Sequence, residues 1–538
     1  MRTEDCPAFS SYASFRSKHN IPSLAQQLPA AKYSDSPFPL SLNGKFRGDS
    51  FSEREDAFMS WTELLILSIL ILNIFLGFII IFRERKSAQA TWAWLMVLLF
   101  LPVIGLIFYF IFGRELRNNP WNENALFKTN ALLHHQREAF AEQTLTQDTP
   151  GFEGVESLIY MHLTHSYAPL TYAQSVDLLT DGKEKFGALF ADLRSAREYI
   201  HLQYFSIDPD DLGGSFIRLL TEKAEQGVEV MLIADGLGSY KLTNRYLNEY
   251  LKAGGRVRRF FPPRSMFSYG SLNHRNHRKL GVIDGDIAYM GGFNIGDKYT
   301  SDNNKLGYWR DSHLRITGSA VHHLHDQFIS DWNKGRKFTS SDLHDYLVPA
   351  SSSLRRGVPM QIVASGPGLE QNQVKNGFVR MIQKAKHYIY IQTPYFIPDL
   401  GLFDNLRVAI LSGIDVRIMI PNKPDHPFIY WATYFYIGEL IKTGATVYIY
   451  DRGFLHSKTM VVDDQVSTLG TTNMDERSVS LNFEVNTFMY DEAMALRMKK
   501  TFQHDLNHCH ELTLDMYEQR SNWIRMKENF SQLLSPLL

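Results

Sequence analysis

Cysteine is almost absent from this 538-residue chain: Cys6 and Cys509 stand at its opposite ends. Two such residues build neither a disulfide framework nor a thiolate zinc site, and they say nothing about redox compartment. An excess of one charge is also missing, with 56 Lys and Arg against 57 Asp and Glu. Without a global basic field, nothing in the composition draws the chain to nucleic acid. A metal site is not apparent either. His504 and His508 sit one helical turn apart, with Cys509 and His510 beside them, but no clear third ligand joins that pair and the group reads as a solvated helix face. Aromatic residues, by contrast, are plentiful at 13%, including 36 Phe and 26 Tyr. The length predicts two or three domains.

Two runs lack charge altogether. Residues 64–82 read LLILSILILNIFLGFIIIF, and residues 91–113 read TWAWLMVLLFLPVIGLIFYFIFG. About 20 apolar residues cross about 30 Å of hydrocarbon as a helix, so each run is long enough for a span. The short link 83–90 predicts a transmembrane hairpin over 59–118, with Trp92, Trp94 and Tyr109 toward the interfaces and a kink at Pro102. Positive residues flank both spans, so the side of the membrane stays open. Residues 1–58 are polar, rich in Ser and Pro and without periodicity, which predicts disorder. Met59 is an expected natural start, making 1–58 an upstream extension.

After a connecting segment at 119–169, the chain alternates strand-like and helix-like runs and repeats itself. Arg197-Glu-Tyr-Ile-His-Leu-Gln203 resembles Lys386-His-Tyr-Ile-Tyr-Ile-Gln392, and Gly227-Val-Glu-Val-Met-Leu-Ile233 matches Gly413-Ile-Asp-Val-Arg-Ile-Met419. Alternating apolar residues between helical stretches predict two related α/β domains with a mainly parallel sheet, over 170–345 and 355–538. A Ser-rich linker, 347–357, joins them.

The strongest chemical signal recurs at one place in each repeat. His277-Arg-Lys279-Leu-Gly-Val-Ile-Asp284 and His456-Ser-Lys458-Thr-Met-Val-Val-Asp463 share the pattern His-x-Lys-x4-Asp. Each is followed by Gly-x-x-Asn, ending at Asn294 and Asn473, seventeen residues after its histidine. On a strand, His and Lys two apart point to one face. Lysine supplies a compact charge for phosphate oxygens, and asparagine adds neutral donors. Of the two imidazoles, one can attack phosphorus while the other protonates the leaving alkoxide. Asp284 and Asp463 belong to the motif, with a structural role expected. Asp311 and Glu484 follow the two histidines by 34 and 28 residues, and either could accept the far ring N–H of a catalytic imidazole. Aromatic runs at 260–269 and 428–436 precede the motifs and could line an acyl-chain groove or rest at an interface.

The paired motifs resemble the phospholipase D superfamily. The likeness to bacterial cardiolipin synthases runs from about Met59 to Leu538, through Leu178-Leu-Thr-Asp-Gly182, Tyr308-Trp-Arg-Asp311, Thr393-Pro-Tyr-Phe-Ile-Pro398 and Leu481-Asn-Phe-Glu484. Residues 1–58 fall outside it. The resemblance implies two tandem phospholipase D-type α/β domains sharing one pseudo-twofold active site behind the hairpin, in a multi-pass protein of the bacterial inner membrane. It implies transfer of a phosphatidyl group between two phosphatidylglycerol molecules through a phosphohistidine, without metal or other cofactor. By the same analogy His277 is the nucleophile and His456 the acid, then base, although the near-symmetry of the repeats leaves that assignment open. Hydrolysis by a membrane-anchored phospholipase D is the alternative, because water can resolve the same intermediate.

Overall fold

A computed structural model of the chain describes residues 60–82, 88–109, 113, 131–142, 152–261, 274–300, 306–334, 357–367, 372–423 and 425–533. The polar stretch 1–58, Met59, most of the link at 83–90, the aromatic run beyond Phe261, and the linker 347–356 lie outside the described residues.

The first apolar run forms one helix, Trp61–Phe82, of 22 residues and mean hydropathy 3.1, long enough to cross a bilayer. The second is divided. Ala88–Phe100 ends at Leu101, which leaves helical geometry, and Pro102 opens a new helix, Pro102–Phe108. Proline has no N–H and crowds the preceding turn, so a break here follows from its chemistry. Asn73 of the first helix reaches across and donates to Leu98 O at 3.3 Å and Pro102 O at 3.0 Å. The neighbouring helix thus supplies a donor to carbonyls at the break. By length alone, Trp61–Phe82 is the one candidate span among the described residues.

The remainder is a mixed α/β body built on one continuous sheet. Its centre is the antiparallel pair Thr171–Leu179 and Val358–Ser365, one strand from each half. Outward through the first half come His313–Gly318, Ile287–Gly291, Leu280–Ile283, Tyr199–Tyr204, Glu229–Asp235 and Arg256–Phe260. Outward through the second come Asn482–Met489, Val466–Gly470, Thr459–Val462, Tyr388–Gln392, Asp415–Pro421 and Thr446–Tyr450, then Cys509–Glu511 at the edge. The same order on both sides is the duplication made visible. Helices of the connecting segment, Ala131–Ala141 and Glu156–His165, pack into the core of the second half, with Leu133, Ile159 and Leu163 against Val363 and Phe378.

The expected mainly parallel sheet is corrected. Along the main strand order just given, parallel pairing is confined, among the described residues, to the strands of each half that helices join, Tyr199–Tyr204 to Arg256–Phe260 and Tyr388–Gln392 to Thr446–Tyr450. The strands nearer the centre are antiparallel because tight turns join Leu280–Ile283 to Ile287–Gly291, and Thr459–Val462 to Val466–Gly470. The last residue of each His-x-Lys-x4-Asp motif opens one of these turns. Asp284 and Asp463 have positive φ, 51° and 53°, a conformation that Asp tolerates better than most side chains. The Asp284 carboxylate accepts from the amides of Arg197, Glu198 and Tyr199 at 2.8 to 2.9 Å. Asp463 does the same for Lys386, His387 and Tyr388 at 2.6 to 2.9 Å. Each aspartate therefore caps the strand that lies next to its motif.

Replacing Asp284 with Ala should lower stability by about 2–4 kcal/mol, from three lost charge-assisted hydrogen bonds and a strained turn. Denaturant titration in detergent checks this. Turnover per folded molecule should stay within a few-fold of wild type, whereas a residue at the reacting centre would lose it.

Candidate active site

His277 follows the two-residue strand Arg275–Asn276, which runs parallel to Asn482–Phe483 of the other half, with Asn276 opposite Phe483. One step on, the His277 amide donates to Phe483 O at 3.0 Å, bringing Glu484 alongside the imidazole. The second half repeats this with the partners reversed. Gly453–Leu455 runs parallel to Tyr308–Arg310, Leu455 opposite Arg310, and the His456 amide donates to Arg310 O at 2.7 Å. Asp311 is the next residue.

Chain order sets Asp311 after His277 and Glu484 after His456, but the structure exchanges them. His277 Nδ1 lies 2.9 and 3.0 Å from the two Glu484 oxygens, and His456 Nδ1 lies 2.6 Å from Asp311 Oδ2. An Nδ1–H donated to a carboxylate fixes the tautomer that leaves Nε2 with a free lone pair. Both carboxylates are fully buried. Thr471 Oγ1 also donates to Glu484, as does Asn482 Nδ2 at 3.2 Å, and the Ser312 amide donates to Asp311 at 2.8 Å.

The two lysines do not share a strand with their histidines as the spacing predicts. Residues 277–279 and 456–458 lie in the gaps between strands, and each ammonium turns back to the carbonyl of its own histidine. Burial pushes Lys279 down to about 7 and Lys458 to about 8, against the pull of Glu484 and Asp311. Each lysine is coupled to both carboxylates, so the two motifs form one electrostatic site. Burial also drives His456 down to about 3, helped by Lys458, and lowers His277 against the opposing Glu484. Burial raises Asp311, but His456 and Lys458 outweigh it and hold the carboxyl below its ordinary value. Such a site holds neutral imidazoles and weakened lysine charges until an anion enters, which favours the protonated forms of both.

Asn294 and Asn473 are both buried. Asn294 Oδ1 accepts from the Ser206 amide at 3.0 Å, while Asn473 Oδ1 lies buried without a hydrogen-bond partner. Gly292, inside the first Gly-x-x-Asn, permits a close approach: a Cβ there would stand 1.9 Å from Asp311 Oδ1. Asp284 and Asp463 are engaged at the strand starts described above.

Several positioning groups went unread in the sequence. Arg278, fully buried, donates to both Asp331 oxygens at 2.6 and 2.7 Å and to the Glu484 carbonyl at 3.0 Å. Arg310 contacts Asp505 at 3.0 and 2.7 Å and donates to the Asp311 carbonyl. Gln203 and Gln392 complete the pairs, donating to Asp331 at 2.7 Å and Asp505 at 2.8 Å. A signal did exist, since both glutamines end the duplicated segments. Asp235 accepts the Asn276 amide at 3.0 Å, bracing the strand before His277.

The family described as "Cardiolipin synthase, PLD-like domain" matches residues 189–332 and 378–506, placing one copy over each motif. The major cardiolipin synthase ClsA of Bacillus subtilis (strain 168) is 47% identical over 488 residues, covering 89% of this chain and all of that protein. The chain belongs to the bacterial cardiolipin synthases of the phospholipase D superfamily. A cardiolipin synthase of Oceanobacillus iheyensis is 45% identical over 483 residues, again 89% of this chain and all of the relative. The family described as "Phospholipase_D-nuclease N-terminal" matches residues 71–114. Among solved structures, a phosphatidylserine synthase from Haemophilus influenzae Rd KW20 aligns with a TM-score of 0.54 at 16% identity. It covers 72% of this chain and all of that one, a likeness of fold. As a cardiolipin synthase, the chain is a phosphatidyltransferase.

Glu484→Gln and Asp311→Asn should each cut kcat of this synthase by about 10²–10⁴-fold with little change in KM, because each disturbs one imidazole's tautomer. Steady-state kinetics on the purified variants check this. A second expectation concerns pH. The lysines lose charge as pH rises through about 7 and about 8, so affinity for a soluble phosphodiester should weaken over that range. Inhibition constants measured against pH report it, and Lys458→Arg should remove the step near 8 because guanidinium stays charged.

Proposed function

We propose that the chain transfers a phosphatidyl group between two phosphatidylglycerol molecules, releasing glycerol and forming cardiolipin. The observation that carries this reading is the crossed pair of histidine–carboxylate contacts in a site with two lysines. His277 Nε2 attacks the phosphorus of the first lipid, the bond to its glycerol headgroup breaks, and His456 gives the leaving oxygen a proton. The second lipid's terminal hydroxyl then gives a proton to His456 and attacks phosphorus, breaking the P–N bond and restoring His277. Lys279, Lys458, Asn294 and Asn473 hold the phosphoryl oxygens, a stabilisation worth several kcal/mol in charged transition states. Glu484 and Asp311 support positive charge on the two rings, while Asp284 and Asp463 keep the motifs in place.

Two repeat domains, 170–345 and 355–538, build that site together. The long helix Trp61–Phe82 and the divided apolar run after it make a multi-pass anchor in the bacterial inner membrane. Asn73, which ties one apolar segment to the break in the other, supports the hairpin.

Purified protein in liposomes with phosphatidylglycerol labelled in the phosphatidyl moiety should yield cardiolipin and free glycerol. Phosphatidic acid as the main product would instead mark a hydrolase. His277→Ala and His456→Ala should each abolish turnover. An acid-labile label on wild-type protein should be absent from His277→Ala; its persistence there would transfer the nucleophile's role to His456.

A further inference from the structure

The last helix of the fold, Asn522–Leu533, is arranged inside out. Trp523, Met526, Phe530 and Leu533 recur at three- and four-residue steps on one face and are 61%, 51%, 56% and 70% exposed. Its inward face buries Glu528 and Ser531. Burying a carboxylate needs a partner, and Arg520 supplies one at 2.9 and 2.8 Å. The helix is therefore held down by its polar side while its apolar side faces out.

It packs along the helix Pro427–Thr443, which contains the aromatic run at 428–436. Lys527 Nζ lies 5.0 Å from the Trp431 ring and 5.5 Å from the Trp523 ring, joining the two helices on this face. Phe428, at the start of the longer helix, is exposed as well. Just before it, Asp425 accepts from Tyr395 and acts electrostatically on Lys458. The start of this helix thus follows closely on an acid whose charge reaches Lys458.

We propose that this face, formed by Asn522–Leu533 and the start of Pro427–Thr443, docks on an anionic phospholipid bilayer and delivers lipid headgroups to the active site. The proposal rests on the lipid reading of that site. An apolar stripe bearing tryptophan, flanked by the cations Arg525 and Lys527, has the chemistry of a helix lying in the interface of an anionic bilayer. A second copy of the chain would bring the same cations together across the contact; a bilayer of anionic lipid neutralises them. The apolar helix Trp61–Phe82 gives the chain a second means of meeting the same surface.

The test compares full-length wild type with Met526→Asp/Phe530→Asp on two substrates: phosphatidylglycerol in reconstituted bilayers, and short-chain phosphatidylglycerol below its micellar concentration. The variant should lose about tenfold or more on bilayers and stay within about twofold on the monomeric lipid. Equal activity on bilayers overturns the proposal, as does an equal loss on both substrates. A nitroxide on Phe530→Cys, with Cys6 and Cys509 replaced by serine, gives a readout independent of turnover. In vesicles of phosphatidylcholine with phosphatidylglycerol the label should be more accessible to oxygen than to a water-soluble nickel chelate. A water-exposed label, or dipolar broadening between labels on two copies, overturns the docking. If wild type makes no cardiolipin, the catalytic reading fails by itself, and the label still decides whether the face meets lipid.

Discussion

Two very short parallel ladders, each joining one half of the molecule to the other, decide how the two motif histidines meet their carboxylates. Arg275–Asn276 pairs with Asn482–Phe483, and Gly453–Leu455 pairs with Tyr308–Arg310. In both, the residue after the last paired position is a histidine on one strand and a carboxylate on the other. A slip of one residue would set Phe483 or Val485 against His277 and turn the glutamate to the opposite face. Correct register is thus equivalent to a correct histidine–carboxylate pair. The bonds are few, so the register is braced from outside the ladders. Asp235 holds the Asn276 amide, and Arg278 holds the Glu484 carbonyl.

The bracing repeats, but not by repeating the sequence. In the first half a Gln–Asp–Arg cluster is made from Gln203, Asp331 and Arg278, the arginine belonging to the motif itself. In the second half Gln392 and Asp505 recur, but the motif carries Ser457 instead of arginine. The guanidinium comes from Arg310 of the opposite half, and the Ser457 hydroxyl meets Ser312 at 2.7 Å. Both solutions place a buried, paired cation against the backbone of the carboxylate that serves the histidine. Unpaired, such charges would cost several kcal/mol each in desolvation, so the clusters rigidify only because every member has its partner.

Much of this could be read from the chain before its fold. The repeats, the two motifs and the trailing asparagines stood out because duplication places each at a matching distance; both supporting carboxylates were also named, although their distances from the histidines, 34 and 28 residues, differ. Local patterning also found the strands Tyr199–Tyr204 and Tyr388–Gln392 nearly in full. What sequence did not supply was anything that depends on pairing across more than a hundred residues. The exchange of Glu484 and Asp311 is set by ladders whose members are distant in sequence, and no local period encodes it. The sheet's mixed direction escaped for a related reason: the turns begin at Asp284 and Asp463, the last residues of the two motifs, and hydrophobic alternation alone does not show the chain reversing there. Arg278 and Arg310 looked like ordinary polar residues because a buried arginine is recognisable only once its aspartate is beside it.

The exchanged carboxylates also bear on how such a duplicated gene can change. Each repeat carries a histidine that is incomplete without the other repeat's acid, so neither half holds a self-sufficient copy to lend while its sibling explores a new role. The usual freedom that duplication grants, one copy retained and one released, does not apply within this chain. A substitution near Glu484 is felt by the imidazole of the first half, and one near Asp311 by that of the second. The two repeats are bound to diverge as a pair, and their differences, such as Ser457 with Arg310 in place of a motif arginine, are negotiated across the axis between them.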